Sequence, residues 1–338
     1  MSLITSLSSP AAGPPLLSPG FAVGACALFT TSYVGLLYLS PATRVGRADD
    51  ADGKALERDH PKVIRARITI SSISAALSLL TTGLVLWYKG VVPNQGTLLT
   101  SLNLARLLGL ALPTPSFLTS NTLPLDPSLT KYIGWIGKQV ASSLILTSSL
   151  FLGPLYVSWL SRELPFQSQF DFRRDVIDKV ATLPGMRNFV VGPLTEELVF
   201  RSCILSNLFF AGVSQSKLIF ASPLFFGIAH VHHAYNVGRT RTALKQGLLT
   251  ALVQFAYTGV FGWLANFLFL RSGSILAPLT SHIFCNVMGL PNPWQASQSF
   301  PTKRSYIFGA HILGIALFAK ALAPLTSPAL LGGSLYWL

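Results

Sequence analysis

Apolar stretches long enough to cross a lipid bilayer recur along the whole chain, and this feature limits the fold more than any other. A hydrocarbon core of about 30 Å takes roughly 20 helical residues to cross. Half of the 338 residues are hydrophobic and only 11% are charged, whereas soluble domains are about one quarter charged. The composition excludes an ordinary soluble enzyme and a disordered chain, and it predicts an all-α, polytopic bundle of transmembrane helices. We expect about eight spans, near residues 21–40, 68–88, 132–160, 191–212, 217–233, 247–270, 274–290 and 305–322.

The chain is expected to form a single transmembrane domain over residues 21–322. Residues 1–20 are rich in Ser and Pro and carry no Lys or Arg, so they lack the basic region of a cleaved signal peptide and are predicted to be a tail. Residues 323–338 are assigned to a C-terminal tail. Segment 97–112 is short for a span and is a candidate interfacial segment. The three cysteines are scattered over apolar stretches, so we expect free buried thiols and no disulfide framework or zinc ribbon.

The basic residues lie in loops between the apolar stretches. The formal net charge is +13, and 17 of the 25 Lys and Arg residues fall in loops 41–67, 161–190, 234–246 and 291–304. The positive-inside rule explains this distribution better than nucleic-acid binding, which would cluster the charges on one polar face. It places these four loops in the cytosol and the N-terminus on the opposite side. Loop 41–67, which also holds five acidic residues, is expected to be a folded or interfacial connector.

Two adjacent glutamates within an apolar span are the strongest sign of chemistry. After Asp178 the remaining residues contain no acidic side chains except Glu196 and Glu197. A carboxylate at membrane depth costs several kcal/mol unless it is paired or protonated, so such a residue is a functional hypothesis by default. Glu197 precedes Arg201 by four residues, the favourable order for a helical ion pair. We therefore expect Glu197 to support the site and Glu196 to react; the competing hypothesis is that both are paired structural charges.

Two histidines, His230 and His282, are expected at the same depth as Glu196 in the cytosolic half of the bundle. His230 lies at the end of one apolar span, and His282 and Asn286 lie four residues apart within another. That spacing places an imidazole and a carboxamide on one helical face, where both can donate to a single oxygen and stabilise an oxyanion. Two more histidines, His232 and His233, receive no role.

These groups fit the hydrolysis of an amide by an activated water molecule. A buried carboxylate with a like-charged neighbour can take a proton from water, and no covalent nucleophile is needed. The sequence contains neither a G-x-S-x-G elbow nor an H-E-x-x-H zinc helix. Two glutamates and two histidines could still ligate zinc, so a metal-dependent protease stays open. A proton-coupled transporter predicts inverted repeats, which we do not find, and it ranks with a non-catalytic membrane protein below the two kinds of protease.

Three motifs resemble those of the type II CAAX prenyl endopeptidases, the Ras-converting enzymes of the ABI (CPBP) superfamily. They are Glu196-Glu-Leu-Val-Phe-Arg201, Phe226-Gly-Ile-Ala-His230 and His282-Ile-Phe-Cys-Asn286. Two longer stretches, Arg58-Asp-His-Pro-Lys-Val-Ile-Arg-Ala-Arg67 and Arg187-Asn-Phe-Val-Val-Gly-Pro-Leu-Thr-Glu-Glu, are similar to the eukaryotic branch of this family. The resemblance runs in patches over residues 58–290, with a catalytic core at about 187–290.

The resemblance implies a multi-pass endopeptidase of the endoplasmic reticulum membrane with an intramembrane catalytic cavity open to the cytosol. Its expected substrates are farnesylated or geranylgeranylated CAAX proteins, such as Ras-type small GTPases, from which it removes the last three residues. It also implies that Glu196 is the base on water, His230 its partner, His282 and Asn286 the oxyanion donors, and Glu197 and Arg201 supports. No metal or other cofactor is implied.

Overall fold

The structure is a computed structural model that describes residues 15–39, 43, 56–112, 127–230 and 241–337; for 127–128, 228–230 and 241–246 it describes only the backbone. In chain order the helices are α1 (Pro19–Leu39), α2 (Pro61–Tyr88), α3 (Thr97–Leu107), α4 (Pro127–Leu150), α5 (Leu152–Leu160), α6 (the continuous helical run 183–210), α7 (Gln215–Phe220), α8 (Pro223–His230), α9 (Arg241–Ser272), α10 (Leu276–Met288), α11 (Pro293–Ser299), α12 (Arg304–Leu325) and α13 (Pro328–Leu331). Short helical stretches also cover Arg173–Ile177, Asp178–Ala181 and Pro301–Lys303. Within these ranges there is no strand, so the all-α prediction is confirmed.

Within the described ranges, four helical segments are long and apolar enough to cross a membrane. They are Pro19–Leu39, Pro61–Tyr88, Gly247–Ser272 and Pro301–Leu325. Helices α4 and α5 form a fifth candidate if they count as one span, although they are bent by 75° relative to each other. The chain is therefore a multi-pass membrane helix bundle, but the expected count of eight spans is not confirmed.

One of the expected spans is divided into two helices in the structure, and another is a short helix. The stretch 217–233 is divided at Pro223, where α7 has ended and α8 begins, because proline has no N–H to continue the helical hydrogen bonds of α7. The stretch 274–290 corresponds to α10, whose 13 residues cover only about 20 Å before Gly289 adopts a positive φ of 67°. Helices α8 and α10 pack against α9, so longer elements surround them.

The core lies along α6, while the long helices present apolar side chains outward. Val199, Cys203 and Leu205 on α6 are completely buried. On the long helices, large apolar residues such as Leu249 (64% exposed) and Ile312 (69% exposed) point away from the protein. A surface of this kind suits contact with lipid tails, because they offer no hydrogen-bond partners to polar groups.

The described parts of both predicted tails pack against the bundle. The Leu17 N–H donates to the Phe210 carbonyl oxygen at 3.1 Å, just before α1 begins. At the other end Tyr336 is buried, and its hydroxyl lies 2.8 Å from Ser206 Oγ and donates to the Leu107 carbonyl oxygen at 2.6 Å. The predicted free thiols are found: Cys26 and Cys203 are buried, and Cys285 is partly buried.

A glycine on α12 allows this helix to approach the junction of α4 and α5. A Cβ atom added at Gly314 would lie 2.7 Å from the Ser149 carbonyl oxygen, too close for any real contact. We expect Gly314→Ala to lower the free energy of unfolding by about 1–3 kcal/mol, because backbone must move to make room. Thermal unfolding of the detergent-purified protein would measure this loss.

The matched control is Gly309→Ala on the same helix, where a Cβ atom meets no described heavy atom within 4 Å. Alanine favours helix over glycine by up to about 1 kcal/mol, so this variant should be neutral or slightly stabilised. Equal midpoints for the two variants would contradict the close approach of α12.

Candidate active site

Helix α6 carries both glutamates in a short α-helical segment between two π-helical ones. The segments of α6 are Leu183–Gly185, the π-helical Met186–Val191, Gly192–Glu197, the π-helical Leu198–Leu205 and Ser206–Phe210. Pro193 has no N–H to donate, and it lies where the hydrogen bonding changes from π to α. Wide turns of this kind are rare and frequently mark functional sites.

Glu197 lies at the centre of a buried cluster of charges. Its Oε1 accepts a hydrogen bond from Arg201 Nη1 at 3.2 Å and lies 2.7 Å from His282 Nδ1. Its Oε2 is 3.2 Å from Arg201 Nε, within ion-pair distance but outside hydrogen-bonding geometry. The side chains of Glu197 and Arg201 are 0% and 1% exposed. The expected ion pair is therefore present, and His282 is a second partner of the same carboxylate.

Glu196 has a different environment from its neighbour. Its side chain is 22% exposed, and its Oε2 lies 3.6 Å from His282 Nε2. Over the described residues no lysine or arginine comes within 4.0 Å of this carboxylate. The imidazole of His282 thus lies between the two glutamates, with one ring nitrogen toward each.

Two phenylalanine rings cover the charged cluster. The Arg201 guanidinium lies 4.8 Å from the centre of the Phe226 ring and 5.7 Å from that of Phe261. The His282 ring is 4.8 Å from Phe261, centre to centre. Aromatic faces attract cations and exclude water, so they strengthen the electrostatic interactions among the charged groups.

Hydrogen bonds from two other helices, and one between α6 and α10, hold this part of α6 and α10 in place. Tyr33 on α1 and Thr195 on α6 share one at 2.8 Å, next to Glu196. Ser281 on α10, next to His282, shares another with Thr147 on α4 at 2.8 Å. At the end of α10, Asn286 donates from Nδ2 to the Asn188 carbonyl oxygen on α6 at 2.9 Å.

The structure brings four of the six predicted residues into direct contact, namely Glu196, Glu197, Arg201 and His282. Asn286 lies one turn after His282 and is bound to α6 instead of to these groups. His230 is the last residue of α8, one turn after Phe226, and its side chain lies outside the described residues. Residues 231–240, which include His232 and His233, also lie outside them.

Several residues that build the site were given no role by the sequence. Phe261 lies in an apolar stretch with nothing to distinguish it from other core aromatics. Arg187 pairs with Asp59 at 2.9 Å and donates to the Arg58 carbonyl oxygen at 3.2 Å, which joins α6 to the start of α2. The sequence did contain a signal for this contact, because Asp59 and Arg187 each lie in one of the two longer stretches that resemble the family.

Over the described residues, no group of three or more His, Cys, Asp and Glu side chains is arranged to hold a metal ion. The side chain of His230 lies outside the described residues. The described part of the site is therefore a set of acids, bases and hydrogen-bond donors.

Comparison with known proteins bears on the family of the chain. The profile of a family described as type II CAAX prenyl endopeptidase Rce1-like matches residues 179–288, which contain all six predicted site residues. The human CAAX prenyl protease 2 is 35% identical over 334 residues, covering 94% of this chain and 85% of the human protein. The chain belongs to the type II CAAX prenyl endopeptidases. The probable CAAX prenyl protease 2 of Schizosaccharomyces pombe is 31% identical over 291 residues, covering 86% of this chain and 88% of that protein. No solved structure matches this endopeptidase.

The ion pair at the centre of the site gives a prediction on stability. Arg201→Met removes the cation of the pair and leaves a buried carboxylate, which typically costs about 3–5 kcal/mol of folding free energy. We expect the double variant Arg201→Met with Glu197→Gln to recover much of that loss, because no buried charge is then left unpaired.

A thiol-reactive dye can follow the thermal unfolding of both variants in detergent, since Cys26 and Cys203 are buried in the folded protein. If the two substitutions lower the unfolding midpoint additively, Glu197 and Arg201 do not depend on each other.

Proposed function

We propose that this endopeptidase removes the C-terminal tripeptide from prenylated CAAX proteins by a glutamate-activated attack of water. The observation that carries the proposal is that the two adjacent carboxylates have different environments. Glu197 is neutralised by Arg201 in the protein interior, whereas Glu196 is partly exposed and has His282 as its neighbour. A carboxylate that is not held in an ion pair with Lys or Arg is free to accept a hydrogen bond, and then a proton, from a water molecule.

In this mechanism Glu196 takes a proton from a water molecule whose oxygen attacks the carbonyl carbon of the prenylated cysteine. His230 is proposed to assist Glu196, as the resemblance to the family implies. The bond to the tripeptide nitrogen breaks, and that nitrogen leaves as an amine after it receives the proton. The products are a prenylated protein that ends in a cysteine carboxylate and a free tripeptide.

The negative charge that develops on the carbonyl oxygen would be held by His282 and Asn286. Glu197 occupies the Nδ1 side of the His282 ring, which leaves Nε2 toward Glu196 and the reacting groups. Asn286 uses one amide hydrogen on the Asn188 carbonyl oxygen, and a carboxamide has a second hydrogen to donate. Donors fixed in advance on one helix stabilise an oxyanion without further reorganisation.

A membrane bundle suits this substrate. Each buried CH₂ of a prenyl chain contributes about 0.8 kcal/mol to membrane binding, so a prenylated tail arrives in the plane of the bilayer. We propose that the site opens to the cytosolic side of the endoplasmic reticulum membrane, with the four basic loops around it. Ras-type small GTPases are the proposed substrates among CAAX proteins, because they are cytosolic and prenylated.

The central test is the substitution Glu196→Gln, which preserves the shape of the side chain and removes its basicity. We expect this variant to release no measurable tripeptide from a farnesylated CAAX peptide in detergent, with an unchanged unfolding midpoint. The matched control is Glu163→Gln at an exposed glutamate, which should retain full activity. Cleavage by the Glu196→Gln variant at the wild-type rate would refute the assignment, and absence of cleavage by the wild type would favour the transporter or the non-catalytic protein.

Zinc dependence is the second candidate, because two glutamates and two histidines are the ligand types that zinc prefers. We expect the enzyme to retain its activity after treatment with a strong chelator and dialysis, since Glu197 and His282 are already engaged with each other at 2.7 Å. Activity that is lost on chelation and restored by stoichiometric zinc would overturn the metal-free mechanism.

A further inference from the structure

Three arginines lie within electrostatic range of one another where the start of α2 contacts the start of α6. Arg187 on α6 donates from Nη1 to the Arg58 carbonyl oxygen at 3.2 Å, and its Nη2 lies 2.9 Å from Asp59. Arg67, two turns into α2, interacts electrostatically with both Arg58 and Arg187. We call Arg58, Arg67 and Arg187 the arginine cluster.

Among the residues that the structure describes, the arginine cluster contains more positive than negative charges. Its one ion pair there joins Arg187 to Asp59, whose side chain is 68% exposed. Arg58 is exposed overall, but partial burial of its guanidinium lowers its pKa, and the charge of Arg187 lowers it further against the opposite effect of Asp59. Crowded guanidinium groups of this kind are stabilised by a bound anion, which they can hold through two parallel hydrogen bonds.

The arginine cluster lies beside the active site. Asn188 follows Arg187 directly and accepts the hydrogen bond from Asn286, the proposed oxyanion donor. Tyr257 on α9 interacts electrostatically with both the Glu196 carboxylate and the Arg58 guanidinium. One phenol side chain therefore lies within electrostatic range of the proposed base and of the arginine cluster.

We propose that the arginine cluster binds the free C-terminal carboxylate of the substrate and so determines that three residues are removed. This inference rests on the proposed function. The bond to be cut precedes the last three residues, and three extended residues span about 10 Å. Arg187 precedes Glu196 by nine residues on α6, which is about 13 Å along the helix axis. A carboxylate held by the cluster would therefore place the amide that precedes the tripeptide near Glu196. The same contact explains how an endopeptidase within a membrane finds one particular bond near the end of a mobile tail.

The test compares two farnesylated CAAX peptides of identical sequence, one with a free C-terminal carboxylate and one with a C-terminal amide. For the wild-type enzyme we expect kcat/KM to be about 10–100-fold higher for the acid, mostly through KM, because the amide cannot form charge-assisted hydrogen bonds. In Arg58→Gln and Arg67→Gln this preference should fall to about threefold or less. The matched control is Arg65→Gln at an exposed arginine on α2, the helix that carries Arg67. This variant should keep the wild-type preference.

Binding gives a readout that does not need cleavage. The same two peptides, labelled with a fluorophore, would be titrated into the Glu196→Gln protein with and without Arg58→Gln. We call the proposed binding of the substrate carboxylate by the arginine cluster the anchor. Tighter binding of the free-acid peptide that disappears with Arg58→Gln supports the anchor. Equal binding of the acid and amide peptides to the Glu196→Gln protein overturns it. Equal cleavage of both peptides by the wild type also overturns the anchor but leaves the proposed hydrolysis intact.

Two further outcomes separate failure of the anchor from failure of the hydrolysis and from lipid binding. If the wild type cleaves neither peptide, the proposed function fails, and the binding titration still decides whether the arginine cluster holds a carboxylate. If acid and amide behave alike while Arg58→Gln weakens binding to vesicles that contain phosphatidylserine, the cluster serves an anionic lipid surface and the anchor is refuted.

Discussion

The buried contact of Glu197 with Arg201 and His282 is the constraint on which the rest of the site depends. The charge of Glu197 or of Arg201 alone would be very costly in the interior of a membrane protein, so removing one of the two destabilises the fold. One guanidinium can neutralise only one of two adjacent carboxylates. The geometry assigns it to Glu197, because the i, i+4 spacing on α6 points both side chains into the core. Glu196, on a different face of the helix, is left at the edge of the cluster with a partly exposed side chain.

The bundle contains two kinds of helices, and together they separate this cluster from lipid. Long helices such as α2, α9 and α12 carry large exposed apolar side chains and suit contact with lipid. Shorter or irregular elements, α6, α8 and α10, lie among them and supply the polar groups. Irregular backbone at membrane depth is tolerated where protein surrounds it, and the buried π-helical segment Leu198–Leu205 of α6 is of this kind. Side-chain hydrogen bonds from α1, α4 and α10 then fix the site in position.

The proposed reaction and the proposed anchor are two consequences of the same arrangement. Asn286 is held by the backbone of Asn188, and the next residue toward the N-terminus, Arg187, reaches the start of α2. The positions of an oxyanion donor and of a carboxylate anchor would therefore be coupled through one turn of α6. A prenyl chain entering from lipid and a carboxylate held near the cytosolic surface would stretch the last residues of the substrate across Glu196.

The sequence by itself determined the all-α membrane class, the pairing of Glu197 with Arg201, and the motifs that place the chain in its family. The class follows from the length and composition of the apolar stretches, and the pairing follows from a four-residue spacing, where helical geometry is fixed in advance. Only the tertiary structure decided that His282 lies between the two glutamates, that Phe226 and Phe261 cover Arg201, and that the C-terminal segment is packed inside the bundle. It also divided the stretch 217–233 into two helices and limited α10 to 13 residues. These contacts join residues that are far apart in the chain, and they depend on how whole helices pack, which apolar composition alone does not encode.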